Sequence, residues 1–467
     1  MFQACIETMR RRWQEPAGYG EVLQIGLPLV MSMASTTVMQ FTDRLFLSRY
    51  SLDAIAAALP AGLVVVLFVL TSTGLVGYAN VLIAQNLGAG HPKRVGNVLW
   101  QSLWLSVLLG LCIMALSMFA EPIFAFSGHG PKLQELERSY FSILCYGAVF
   151  PVLGSAMSSF FSGLGHTRPV MIANFMAMVI NVPLDYVLIY GAWGFPELGI
   201  SGAAIATVCG SALTVLILSL AIFTKHNEIL YNIRSHWQYN WKTMRLLLRY
   251  GAPSGFNLFA ELFVFTWFAF VVGGMGELPL SATNIAFSIH SIAFMPTLGF
   301  NVAVSSLVGN AMGAGNPKRA VRATRRTLHV TMLWMITVGI LFLTVPQMFV
   351  DVFVPEGMGA AAYAPVHELA CTLLLFVTVY CLFDSFTVVY AGALKGAGDT
   401  NFVMWNFAGT GLFALIVPAY ALKLLGFWNL YILWTLLTFY GFSLAVCFYI
   451  RYGQGKWQRL RILDEAS

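Results

Sequence analysis

Twelve apolar runs, all of them longer than 20 residues and set apart by polar loops, constrain this chain more than any other feature. A bilayer core about 30 Å thick is crossed by about 20 residues of helix at 1.5 Å per residue. Hydrocarbon offers no water to satisfy a backbone N–H or C=O, so each run must close its own hydrogen bonds as a helix. The spans are expected near 23–48, 54–86, 97–120, 138–162, 169–191 and 199–224, then 246–274, 281–312, 326–350, 368–394, 402–424 and 428–450. With 58% hydrophobic and only 10% charged residues, the chain carries more apolar surface than a soluble core needs. The expected fold class is an all-α polytopic membrane protein with 12 transmembrane helices.

Lysine and arginine set the orientation, because cytoplasmic loops hold the positive excess. With the amino terminus inside, 21 of the 26 basic residues fall on the cytoplasmic side, among them Arg10, Arg11, Arg12, Lys93, Arg94, Lys318, Arg319, Arg326, Lys395 and Arg451. Arg44, Arg49, Lys132, Arg138 and Lys423 fall at the outer side. Both ends are therefore expected in the cytoplasm of a multi-pass membrane protein. The net charge of +6 is used in those loops and calls for no nucleic acid. MRRRW at 9–13 leads into a full-length span and not into a short apolar stretch with a cleavage site, so no cleavable signal is expected.

The chain also repeats itself. LIAQNLGAGHPKR at 82–94 returns as LVGNAMGAGNPKR at 307–319, an offset of 225 that also carries Gly26 and Pro28 onto Gly251 and Pro253. SGLGHT at 162–167 matches KGAGDT at 395–400 with an offset of 233. Two homologous halves follow, 1–224 and 246–467, joined by a cytoplasmic linker at 225–245. Six spans per half is an even number, so the repeats are parallel and both GAGxPKR loops lie inside. These loops lack the spacing of a nucleotide-binding loop. They are expected to act as tight turns and topology anchors, with a gating role as the alternative.

Signals for an enzyme are weak. HELAC at 367–371 has Cys371 where a zinc motif needs its second histidine, and GAGD at 396–399 sits in an expected cytoplasmic loop with no Tyr-Asp partner on another span. The seven cysteines (Cys5, Cys112, Cys145, Cys209, Cys371, Cys381, Cys447) are scattered without a C-x-x-C pair, and read as small core residues. No catalytic residue, cofactor or structural metal site is expected.

Charge inside the bilayer is the informative part, since an ionisable side chain at a helix centre costs at least ~2.5 kcal/mol. Asp43 in span 1, Asp185 in span 5, Glu261 in span 7 and Asp384 in span 10 all fall there. They do not follow the repeat: the 225 offset places Asp43 on Phe268 and Glu261 on Thr36. Each acid has a structural alternative. Asp43 could pair with Arg44 at the interface, and Asp185, one turn from Asn181, could make a polar interhelical contact. Glu261 and Asp384 read as lying deep, with no Lys or Arg on the same helix face; their alternative is a protonated acid bonded in the core. The functional reading is a carboxylate neutralised in turn by H⁺ or Na⁺, a coupling device. Asn181, Thr207, Tyr380 and Asp185 add the oxygen ligands a hard cation accepts. Some of the 36 Phe, 18 Tyr and 12 Trp could line a cavity for flat organic cations.

FTDRLFLS around Asp43, the two GAGxPKR loops, NVPLDYVLIYG with WGFPELGISGAAIAT, FAELF around Glu261, and YCLFDSF with LKGAGDT together resemble the MATE family (multidrug and toxic compound extrusion), in its NorM-like branch, over nearly the whole length. That resemblance implies two six-helix lobes forming a V around a cavity that opens alternately outward and inward. It implies antiport, with amphipathic, mostly cationic compounds leaving in exchange for Na⁺ or H⁺, and a protein able to work as a monomer. Asp43, Asn181, Asp185 and Thr207 match the family's amino-lobe cation site, and Glu261, Tyr380 and Asp384 match the carboxy-lobe acids. Both sets are present, so which lobe couples stays open. The alternatives are a lipid-linked precursor flippase of the wider superfamily, which would prefer a cationic cavity, and a membrane enzyme.

Overall fold

The computed structural model describes residues 13, 15–125, 129–354 and 360–463; Cys5, Arg10, Arg11 and Arg12 lie outside them. The described residues contain helices and connecting turns and no strand. Among the described residues, twelve helices are long and apolar enough to cross a membrane: spans 1 to 6 are Tyr19–Tyr50, Leu52–Gly88, Pro92–Ala125, Pro131–Leu164, Arg168–Tyr190 and Ile200–Ile222. Spans 7 to 12 are Trp241–Gly273, Glu277–Gly313, Pro317–Thr344, Tyr363–Ala397, Thr400–Leu424 and Leu430–Gly453. Every expected run is a helix, as it must be where backbone groups have no outside partner.

The ends differ from the expected ones where helix chemistry outruns hydropathy. Span 9 starts at Pro317, nine residues before the apolar window, because Asn316 caps it: its Oδ1 accepts from Arg319 N at 3.1 Å, and Pro317 occupies the first helical position. Arg319 and Arg322 consequently lie on the helix and not in a loop. The same span stops at Thr344, since Pro346 cannot continue it. Span 11 widens into a π-helical turn at Gly411–Ile416 just before Pro418, whose missing N–H interrupts the regular ladder.

Packing divides the chain into two compact units, a different division from that of the repeats. Among the described residues, one comprises those within 24–256, 309–315 and 462–463; the other comprises those within 13–23, 257–308 and 316–461. Leu82, Ile83, Leu99, Phe141 and Phe160 are among the fully buried side chains of the first. In the first unit the linker is fastened along span 3, where Trp100 Nε1 donates to Ile233 O at 2.6 Å and Trp104 Nε1 donates to Trp237 O at 3.1 Å. Phe268, Trp434, Tyr440 and Phe448 fill the second. There the segment entering span 1 is held on span 9, by Arg326 to Glu15 at 2.9 Å and Arg319 to Glu21 at 3.1 Å. Two of the six described cysteines, Cys145 and Cys381, are buried; Cys112 and Cys209 are exposed. The reading of all seven as core residues is corrected to that extent, since a lipid-facing position accepts a thiol as readily as a core does.

The repeated loops meet inside the first unit. Gly90 and Gly315 hold the left-handed conformation, φ +75° and +65°, that ends spans 2 and 8. A side chain at Gly88 would run into the carbonyl oxygen of Asn310, and one at Gly313 would run into that of Gln85. The 225 offset maps Gly88 onto Gly313 and Gln85 onto Asn310. The two ends therefore cross backbone to backbone in a reciprocal contact, the kind a two-fold relation produces. The glycines are repeated because each copy needs the other's.

Candidate functional site

Span 1 carries Asp43, span 5 carries Asn181 and Asp185, and span 6 carries Thr207. The structure brings Asp43, Asp185 and Thr207 into side-chain contact range. Asn181 and Asp185 are fully buried, one turn apart on the same helix. Neither oxygen of Asp185, neither amide atom of Asn181 and not Oδ1 of Asp43 has a hydrogen-bond partner. Two carboxylates facing each other offer only acceptors, so they cannot satisfy one another without a shared proton or cation. The alternative for Asp185, a polar contact between helices, is part of this geometry, because Asp185 meets Asp43 of another span. No ion pair joins Asp43 to Arg44 among the described residues, and Asn181 makes no interhelical hydrogen bond. Tyr140 of span 4, fully packed and within electrostatic reach of both acids, is a neighbour the sequence did not single out.

Glu261, Tyr380 and Asp384 line one cavity in the second unit, with Asn257, Asn301, Lys395 and Tyr440 around them. Asp384 Oδ2 accepts from His290 Nε2 at 2.8 Å, both side chains being buried. The His290 ring stands against Tyr380 with centroids 5.3 Å apart and lies near Phe265 and Phe294, so its orientation is fixed by packing. Lys395 Nζ donates to Asn257 Oδ1 at 2.7 Å. Asn257 Nδ2 and Thr387 Oγ1 are buried in the lining without a partner. About 40 Å³ of the cavity is open to water-sized occupants. One water needs roughly 10–15 Å³, so the space has room for waters or a stripped ion.

The structure departs from two expectations, that Lys395 lies in a cytoplasmic loop and that Asp384 has no basic residue on its helix face. Span 10 in fact extends to Ala397, and Lys395 follows Asp384 by 11 residues, three turns at 3.6 residues each. The two share a face. His290 was missed altogether, although a histidine in the middle of the SIHSIAF run of span 8 carries the same expense as an acid there. Among the described residues, no group of three His, Cys, Asp or Glu is placed to hold a metal.

The sequence profile of the MatE family matches residues 28–187 and 253–420, one stretch in each repeat and together more than half of the chain. The chain belongs to the MatE family. A relative named probable multidrug resistance protein NorM, from Bradyrhizobium diazoefficiens, is 30% identical over 85% of this chain and 85% of its own length. The multidrug resistance protein PmpM of Pseudomonas aeruginosa is 27% identical over 82% of this chain and 80% of its own. Among solved structures, an outward-facing multidrug resistance MATE family transporter of the MOP superfamily aligns with a TM-score of 0.84 and 20% identity, covering 98% of each chain. A MOP superfamily transporter from Pyrococcus furiosus, described as having a binding pocket of reverse polarity, aligns with a TM-score of 0.81 and 19% identity over 98% of each chain. At those identities the structures establish the shared fold. In this MatE protein both buried acid groups stand on that fold.

Proposed function

We propose that this MatE-family protein is a multidrug efflux antiporter of the bacterial inner membrane, exporting amphipathic, mostly cationic compounds in exchange for Na⁺ or H⁺. Relatives named for multidrug resistance support the substrate class. The observation that carries ion coupling is Asp185, fully buried with both carboxylate oxygens unpartnered and Asp43 opposite. Such a pair is stable only with a proton or a small cation between its members. Thr207 and Asn181 supply the remaining oxygens, so coupling is assigned to the amino half. The carboxy cavity already holds a lysine and a histidine against its two acids, and it serves as the place where a cationic head group or a second ion is balanced.

Transport follows from competition and access. Ion entering from outside occupies the acids and weakens their hold on a cationic compound, which leaves outward. Release of the ion to the cytoplasm exposes the carboxylates to the next compound. Coupling requires the two ligands to differ in affinity between states or to compete for one site. The protein acts as a monomer with both termini cytoplasmic. A flippase for a diphosphate-linked lipid would need a cationic cavity, and the deep pairs here are led by Asp43 and Asp185, and by Glu261 and Asp384.

The test is efflux of a fluorescent organic cation from proteoliposomes under an imposed Na⁺ gradient and then an imposed pH gradient. Wild type, Asp185→Asn, Glu261→Gln and Asp384→Asn are compared. Gradient-driven efflux in the wild type that vanishes in Asp185→Asn supports the amino-half assignment. Loss only in the Glu261 and Asp384 variants moves coupling to the carboxy half. Wild-type protein that moves no organic cation under either gradient defeats the antiport reading.

A further inference from the structure

The carboxy cavity contains a charge that the antiport reading does not use. Lys395 lies on the face of span 10 that bears Asp384, its Nζ rests on Asn257 Oδ1 at 2.7 Å, and it shares the cavity lining with Glu261 and Asp384. Lys395 and Glu261 act on each other electrostatically, and Glu261 in turn senses Asp384 and His290. His290 needs no charge to serve Asp384, because a neutral ring donates Nε2–H at the observed 2.8 Å. Two carboxylates against one ammonium leave the cavity with one negative charge in excess of neutrality. The amino-half group differs in kind: Asp43 and Asp185 face each other, and the nearest basic side chain, Arg44, is exposed.

We propose that Lys395 is a tethered counter-cation, a specificity-determining residue that limits the carboxy cavity to one added monovalent charge and turns away dications. This rests on the antiport reading and deepens it. A buried carboxylate left uncompensated in low dielectric is costly, so an ammonium removed from the cavity must be replaced by a proton or cation from solution. Lysine suits the role. Its charge is compact and sits on a flexible stem, so it can lean toward Asn257 when the acids are occupied and toward Glu261 when they are bare.

Lys395→Met, Lys395→Arg and the double variant Glu261→Gln/Lys395→Met test this against wild type in two measurements. The first counts cation equivalents bound per protein, as radioactive Na⁺ together with protons taken up. The second is the ratio of dication to monocation efflux from proteoliposomes, with bis-quaternary and mono-quaternary dyes of similar size. Lys395→Met should bind one equivalent more than wild type and shift the ratio toward the dication by about tenfold, the weight of one interaction of 1.4 kcal/mol. Lys395→Arg should match wild type in both. The double variant should return both values to the wild-type level, because one acid and one base have been removed together. A merely structural lysine would not be rescued by deleting an acid, so a double variant that stays at the Lys395→Met values overturns the proposal. So does Lys395→Met with an unchanged count and ratio while wild type still exchanges ions, and in that case the antiport reading survives. Wild type that binds no cation and exchanges none removes both.

Discussion

Asp185 and His290 are the residues whose replacement separates function from folding. Asp185→Asn removes one of two facing acceptors and supplies a donor in its place, so the buried pair no longer needs an outside cation. The variant should fold at least as well as wild type, judged by its melting temperature in detergent, while gradient-driven efflux falls tenfold or more. Equal loss of stability and transport would show that the acid is needed for packing. His290→Phe keeps a ring among Phe265, Phe294 and Tyr380 but strips Asp384 Oδ2 of its donor. A buried acceptor left unmet costs about 1–3 kcal/mol, so the melting temperature should drop by several degrees, with His290→Gln recovering part of it. An unshifted melting curve for His290→Phe would mean that Asp384 is satisfied otherwise. The acids themselves were legible as residues, because charge inside an apolar run is conspicuous in one dimension. Their partners were not, because which of Asp43, Thr207 and Asp185 meet depends on the rotation of three separate helices.

At the scale of elements, the crossing of span 2 on span 8 depends on absent side chains. Gly88→Val and Gly313→Val each push a side chain into the backbone of the opposite helix and should each cost about 1–3 kcal/mol, the usual price of overpacking. Both report on one contact, so their effects on thermal stability should be similar and clearly less than additive when combined. Full additivity would mean that the glycines act separately. The linker offers a pH test. The Ser235 hydroxyl, 2.6 Å from Glu228 Oε1, and then the backbone N–H of Arg234 hold that carboxyl below its ordinary range. A lowered acid stabilises its folded surroundings above its unfolded pKa and loses that contribution as pH falls through the folded one. Protection of the Arg234 amide, corrected for intrinsic exchange, should therefore be full near neutrality and fall in acid below the ordinary glutamate range. Glu228→Gln should flatten the dependence, and an unchanged profile in that variant would remove Glu228 as the cause. Helix existence was readable from hydropathy, but helix ends were not: Asn316 and Pro317 start span 9 well inside what counts as a polar loop.

For the whole molecule, the distribution of Lys and Arg predicts both termini in the cytoplasm. In a cysteine-free background, an impermeant thiol reagent applied to intact cells should label Gly130→Cys, between spans 3 and 4, and should reach His91→Cys only after the membrane is opened. The opposite pattern inverts the topology, and with it the side from which the acids are loaded. Legible in the sequence alone are the properties carried by contiguous residues: twelve helices from run length, an internal repeat from the 225-residue offset, family membership from its motifs, and the expense of each buried acid. Only the tertiary structure decided which charges share a space. It set Asp43 opposite Asp185, aimed His290 at Asp384, and drew Lys395 out of its expected loop into the company of Glu261. The physical reason is that hydropathy and helix propensity act within a turn or two of chain, whereas a site is made where side chains from distant spans point to the same place, and that is settled by how the helices pack.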